Sequence, residues 1–228
     1  MTEAKLKVVD LFAGAGGFSL AAVQAGCKIV FAVEFDKYAA ETYRKNIGTE
    51  TRSEKVVVYN DDITSISAIA LTRQHFPGGD CDLLLGGPPC QGFSTHRIND
   101  SGVGDHRNAL IHEYFSFVRS LKPKAFLMEN VPGMLWPRHK SYLDEFYREA
   151  LGSGYTVYQP QKLDARNYGV PQRRQRVFIL GIRNDISSEG FDWPPKPTHS
   201  APELAAATGL KPWVSCETAF ADLPADDV

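Results

Sequence analysis

The run Gly86-Gly87-Pro88-Pro89-Cys90-Gln91-Gly92-Phe93-Ser94 presents a thiol on a rigid arm. The apolar segment before it, Cys81-Asp82-Leu83-Leu84-Leu85, is short and bounded in the manner of a buried parallel strand. Each proline fixes its own φ at about −65° and pushes the residue before it out of the helical region. Cys90 is thereby carried stiffly past the carboxyl end of a strand, where open α/β sheets bind their ligands. A thiol in that place reads as a nucleophile, its thiolate being the attacking form. Cys27, Cys81 and Cys216 sit in or beside apolar runs and read as buried structural cysteines.

Two further groups carry chemistry. Ala13-Gly14-Ala15-Gly16-Gly17 lies between an apolar run and a helical pattern, and Glu34 follows about twenty residues later, the general plan for holding a ribosylated cofactor. The glycines let backbone approach a ligand, and Glu34 can take ribose hydroxyls. Phe35 can stack on an adenine, and Asp62 can accept from its amine. The glycine spacing is not G-x-G-x-x-G, so a dinucleotide cradle is not expected. In the second group, Arg173, Arg174 and Arg176 crowd together. Such a run is often a solvated basic face. Here the alternation Arg174-Gln175-Arg176 leads into a strand, placing two arginines on one face, which favours an anion- or base-binding role.

The elements that position these groups alternate. Strands are expected at 6–12, 28–34, 56–59, 81–85 and 125–129, with helices at 18–25, 36–46, 108–121 and 140–151, and a short one capped by Ser65 and ending near His75. Strands at 155–163 and 176–182, joined without a helix, form an antiparallel last pair. This βαβ alternation predicts an α/β domain built on an open, mostly parallel sheet with helices on both faces. The polar stretch Thr95 to Arg107 is long for a connection and reads as a lid or a disordered loop. From Phe191 onward the pattern weakens, so residues 1–190 are expected to form the catalytic domain and 191–228 an extended tail.

Composition bounds the rest. A chain of 228 residues with 43% hydrophobic and 23% charged content is ordinary for a globular protein. No apolar run approaches the ~20 residues of a membrane span, and four cysteines without clustering predict neither a zinc site nor a disulfide framework. A cytoplasmic setting is expected, nucleoid-associated in a bacterium. A net charge of −2 is not that of a self-sufficient nucleic-acid binder.

DLFAGAGGFS, Glu34, Asp62-Ile63, GGPPCQGFS, ENVPG and YGVPQRRQRVF occur in that order, from about Val8 to Arg183. Together they resemble the DNA (cytosine-5) methyltransferase family. The resemblance implies a Rossmann-like methyltransferase fold, S-adenosyl-L-methionine as methyl donor and double-stranded DNA as substrate. It implies a cofactor site from Phe12, Gly14, Gly16, Gly17, Phe18, Glu34, Phe35, Asp62, Ile63 and Pro89. Cys90 would be the nucleophile, with Glu129, Arg174 and Arg176 in the base pocket. Asn130, Gln91 and Ser94 would brace or close that pocket. Family members usually continue into a target-recognition region and a final segment with a Gly-Asn pair. Neither is evident here, so a second polypeptide or a missing C-terminal part is expected to supply both, and the isolated chain is expected to transfer little. An RNA cytosine-5 methyltransferase and a non-catalytic subunit are the alternatives; the latter should have lost Cys90 or Glu129, and both are present.

Overall fold

In the computed structural model, residues 4–50, 56–79, 81–89 and 106–222 are described. An eight-stranded sheet runs through the protein in the order β3-β2-β1-β4-β5-β8-β6, with β7 also paired to β8. Its first five strands are β1 (Lys7–Leu11), β2 (Lys28–Val33), β3 (Val57–Tyr59), β4 (Leu83–Gly86) and β5 (Ala125–Asn130), all mutually parallel. β8 (Gln175–Arg183) lies antiparallel to β5. The expected 155–163 strand is broken into β6 (Tyr155–Val157) and β7 (Gln161–Asp164), which pair antiparallel with opposite ends of β8. Pro160 stands in the break; it has no N–H to give to a ladder.

Helices cover both faces because the strands are apolar on both. Ala22 of α1 (Gly17–Gln24) and Tyr43 and Ile47 of α2 (Lys37–Glu50) pack with Val8, Ala32 and Leu85 on one side. On the other, α3 (Ala68–His75), α4 (His106–Leu121) and α5 (Lys140–Gly152) enclose Leu11, Leu84, Phe126 and Met128. Phe115, Phe126 and Phe146 meet edge to face there, with centroids 4.9–5.9 Å apart. α3 is capped by Ser67, not by the expected Ser65. Asp62 already caps a 3-10 turn at Ile63–Ser65, which uses up the Ser65 position before α3 begins.

Register lines up the ends that matter. Leu11 pairs with Val33 and Gly86, Val33 with Tyr59, and Gly86 with Met128. One residue further along, Phe12, Glu34, Asn60, Gly87 and Glu129 therefore form a single row at the carboxyl edge. Strand order reverses between β1 and β4, and a crevice opens at such a switch point.

Residues past β8 are more structured than their weak pattern suggests. They hold β9 (His199–Ser200), α6 (Pro202–Thr208), β10 (Lys211–Pro212) and α7 (Cys216–Ala219). Cys216 is exposed at the start of α7, correcting the buried reading, while Cys81 is buried and Cys27 half-buried. α7 is a four-residue surface helix without a buried residue, and the Cys216 thiol donates to Pro171 O at 3.5 Å.

Candidate active site

The chain turns sharply at the end of β1. Phe12 adopts φ 56°, a left-handed conformation uncommon for a residue with a side chain. Gly16, at φ 100°, caps α1, and a Cβ there would lie 2.7 Å from Ile47 Cγ1, so only glycine lets this loop sit against α2. Glu34 then fixes the loop from the side. Its Oε2 accepts from Gly14 N–H at 2.7 Å and its Oε1 from Asp36 N–H at 2.7 Å. Each oxygen keeps lone-pair capacity for a further donor.

The other expected cofactor residues surround this point unequally. Phe35 is 73% exposed, a bare aromatic face beside Glu34. Asn60 Nδ2 donates to the carbonyls of both Glu34 and Phe35 at 2.9 Å, holding the pair in place. Asp62 Oδ1 accepts from Thr64 N–H and hydroxyl, while Oδ2 has no partner among the described residues. Ile63 is buried and supports the turn from inside. Phe18 is half-buried, its ring centroid 6.2 Å from that of Phe178 on β8, so it bridges the two halves of the row. These groups fit an adenosine-bearing ligand: a carboxylate with spare acceptors, an open ring and an unpaired carboxylate oxygen.

At the β4–β5 end, Gly87 and Pro88 start the proline arm, and Pro89 is exposed at its tip. Cys90, Gln91, Ser94 and the lid stretch up to 105 lie outside the described residues; residues 106 and 107 already belong to α4. Asn130 is buried and donates from Nδ2 to Pro88 O at 3.3 Å, while its Oδ1 accepts from Val131 N–H. Glu129 is half-buried, with Arg176 Nε 2.9 Å and Arg174 Nη2 3.7 Å from its Oε1. A Cβ on Gly87 would stand 3.6 Å from Glu129 Oε2, so that oxygen faces the root of the arm.

Asp10, Ser19 and Tyr43 were not among the expected site residues. Asp10 is fully buried beneath the glycine loop; its Oδ2 accepts from Ser19 Oγ at 2.7 Å, and Ser19 Oγ lies 2.6 Å from Tyr43 OH. Burial pushes the Asp10 carboxyl up to about 7, against the lowering effect of the Ser19 bond. Burial likewise raises the Tyr43 phenol. The signal for this group was one acid inside the apolar run Val8-Val9-Asp10-Leu11-Phe12, since a buried charge needs partners.

Among the described residues, no His, Cys, Asp and Glu cluster could hold a metal ion, and no helix is long and apolar enough to cross a membrane.

The chain is similar to known proteins. Residues 6–219 match the C-5 cytosine-specific DNA methylase family. Type II methyltransferase M.NgoFVII of Neisseria gonorrhoeae is 38% identical over 96% of this chain and 54% of its own length. Type II methyltransferase M.HhaI of Haemophilus parahaemolyticus is 33% identical over 83% of this chain and 53% of its own. A prophage-encoded DNA modification methyltransferase structure from E. coli superposes with a TM-score of 0.74 at 30% identity, covering 97% of this chain and 56% of that one. The chain spans about half the length of the curated relatives it matches. With the match running through both ends of the row, from the glycine loop to the Arg174–Arg176 strand, the chain belongs to the C-5 cytosine-specific DNA methylase family.

Proposed function

We propose that residues 1–228 form the S-adenosylmethionine-binding and catalytic portion of a DNA cytosine-5 methyltransferase. The observation that carries this is the row at the carboxyl edge. An acid suited to ribose, Glu34, and an acid held by two arginines, Glu129, flank the strand that launches the Pro88-Pro89-Cys90 arm. On this reading cofactor and nucleophile sit on either side of one switch point.

Glu34 takes the ribose hydroxyls, Phe35 stacks on the adenine and Asp62 accepts from its amine through Oδ2. The bound cofactor supplies an electrophilic methyl group on a sulfonium. Carbon-5 of cytosine is a weak nucleophile, so Cys90 thiolate first adds to carbon-6, and the ring becomes an enamine that attacks through carbon-5. Glu129 accepts from the exocyclic amine or, if protonated, donates to ring nitrogen 3; either contact stabilises charge that develops as sulfur adds. Arg174 faces the ring carbonyl oxygen, and Arg176 holds Glu129 in place. Asn130 ties the arm through Pro88 O, so that Cys90 approaches from a fixed direction. Water takes the carbon-5 proton, the electrons of that C–H bond re-form the 5,6 double bond, and Cys90 leaves carbon-6 as thiolate, which restores the aromatic ring. Because the target atom is stacked within a duplex, the base is flipped out before reaction.

Sequence reading belongs to the part of the relatives' length that this chain does not match, on the same chain or on a second polypeptide. The net charge is −2, and two of the three clustered arginines, Arg174 and Arg176, are committed to Glu129, so little of that basic cluster is left for phosphates. Residues 1–228 alone should therefore methylate slowly and without sequence preference. In a bacterium, a DNA substrate would place the work in the cytoplasm, at the nucleoid. The test is transfer of tritiated methyl from S-adenosylmethionine, at high protein concentration, to mixed-sequence duplex DNA and to RNA of the same sequence. Label in 5-methylcytosine of the DNA is expected; label confined to RNA would overturn the assignment.

A further inference from the structure

The strand carrying Arg176 begins just after an exposed polar turn, with Gln175 and Arg176 laddered to Asp164 and Leu163 of β7. Between the 3-10 turn Ala165–Tyr168 and β8, the segment Gln172-Arg173-Arg174 is exposed and carries two cations that repel each other. The segment past β8 packs on this turn. Thr198 N–H donates to Asn167 O at 2.9 Å, Trp213 Nε1 donates to Asn167 Oδ1 at 3.0 Å, and Tyr168 OH donates to Pro195 O at 2.9 Å. Gly169, at φ 86°, lies so close to His199 that a Cβ would come within 2.8 Å of its ring.

One chain of contacts runs from this segment to the acid of the proposed base pocket. Arg166 lies over the Trp213 ring, 4.0 Å from its centroid. The same guanidinium forks onto buried Asp164, with Nε to Oδ1 at 3.2 Å and Nη2 to Oδ2 at 2.9 Å. The Arg166 bonds hold the Asp164 carboxyl down at about 2. Asp164 Oδ2 also accepts from Gln175 Nε2 at 3.3 Å, and Ala165 N–H donates to Arg174 O at 2.9 Å. Gln175 stands between the two arginines that reach Glu129. A planar guanidinium can stack on an indole and still use its fork in plane, so Trp213 restricts Arg166 without competing for its hydrogen bonds.

We infer that Trp213 is a positioning residue for the Glu129–Arg176 pair. By stacking on Arg166 it holds the Asp164–Arg166 fork against Gln175, and so fixes where Arg174 and Arg176 enter β8. The segment beyond residue 190 is then part of the catalytic machinery's support and not a connector. The inference rests on the proposed role of Glu129 only for its link to catalysis; the contact itself can be read without substrate.

The experiment uses residues 1–228 labelled with 15N and follows the arginine Nε–Hε signals, assigned with Arg176→Lys and Arg166→Lys. In the wild type, the Arg176 signal should be shifted and slow to exchange with water because Nε–H bonds to Glu129. In Trp213→Ala that exchange should quicken by about tenfold or more, as loss of one charge-assisted hydrogen bond requires. Trp213→Phe, which keeps a ring under Arg166, should restore slow exchange. Arg166→Lys, which cannot fork, should reproduce the alanine result and stands in if Trp213→Ala does not fold. Backbone amides of β1–β4 should be unchanged in every variant compared. An Arg176 signal unmoved in Trp213→Ala and Arg166→Lys, with only Asn167 and Thr198 amides disturbed, would overturn the inference. The readout contains no DNA. A confirmed Arg176 response together with full methyl transfer by Glu129→Gln would sink the base-pocket reading and leave the positioning intact.

Discussion

Replacing Glu34 by glutamine tests the cofactor side of the row with almost no change in shape. Its two oxygens accept from Gly14 N–H and Asp36 N–H, both at 2.7 Å. Glutamine can satisfy one of these with its carbonyl oxygen; its NH2 must then face the other N–H, donor against donor. Hydrogen bonds to a charged group contribute about 1.5–3 kcal/mol each, and the partial exposure of Glu34 places this loss at the low end. Loss of one loop bond and weakening of the ribose contact together amount to about 2–4 kcal/mol, or roughly a 30- to 700-fold rise in Kd for S-adenosylmethionine. Isothermal titration measures this directly, with circular dichroism to verify that the sheet is intact. A Glu34→Gln variant that binds within about threefold of the wild type would refute the idea that Glu34 organises the glycine loop and takes the ribose.

Two further substitutions probe the support beneath that loop. Asp10 is raised from its ordinary 3.8 to about 7, chiefly by burial. Between these values the unfolded chain ionises and the folded one does not, so stability is complete below pH about 4 and falls as pH rises toward 7. Ser19, Tyr43 and Glu34 are the groups that act on this carboxyl. Asp10→Asn keeps the acceptor for Ser19 and should remove that slope. Urea unfolding should show the variant gaining on the order of 2 kcal/mol over the wild type between pH about 5 and about 7.5; parallel curves would refute it. Gly16→Ala adds left-handed strain of about 1–2 kcal/mol and a 2.7 Å contact with Ile47 Cγ1. Overpacking of that kind costs about 1–3 kcal/mol. Thermal unfolding should shift down by roughly 5–15 °C, and a shift under about 2 °C would show that the loop relaxes freely.

The fold was legible where one pattern dominated. Short apolar strands alternating with helices dictated the parallel β1–β5 core, and the prolines after β4 marked its carboxyl end. Residues at strand ends were legible for the same reason: register brings Phe12, Glu34, Gly87 and Glu129 into one row although 117 residues separate the first from the last (129 − 12). Side-chain competition was not legible. Asp62 spends one oxygen capping its own turn, and Ser67 displaces Ser65 as the α3 cap; such choices depend on atoms within a few ångströms. Tertiary pairing hid the segment past β8. β9 and β10 are two residues each, too short for any period, and they form because Thr198 and Trp213 bond to Asn167. Asn60 was missed because an amide at a strand end reads as a turn residue, whereas here it clamps the Glu34 and Phe35 carbonyls.

Covalent capture tests the central claim most directly. Residues 1–228 are incubated with S-adenosylmethionine and mixed-sequence duplex DNA carrying 5-fluorocytosine, whose fluorine cannot leave carbon-5 as a proton does. Capture is irreversible, so adduct accumulates even from weak, unselective binding at high protein and DNA concentrations. The expected result is a denaturation-resistant protein–DNA band that requires the cofactor, is absent from Cys90→Ser, and yields on digestion a nucleotide-bearing peptide containing Cys90. No band from the wild type, or an equal band from Cys90→Ser, would contradict the assignment of Cys90 as the nucleophile of a cytosine-5 methyl transfer.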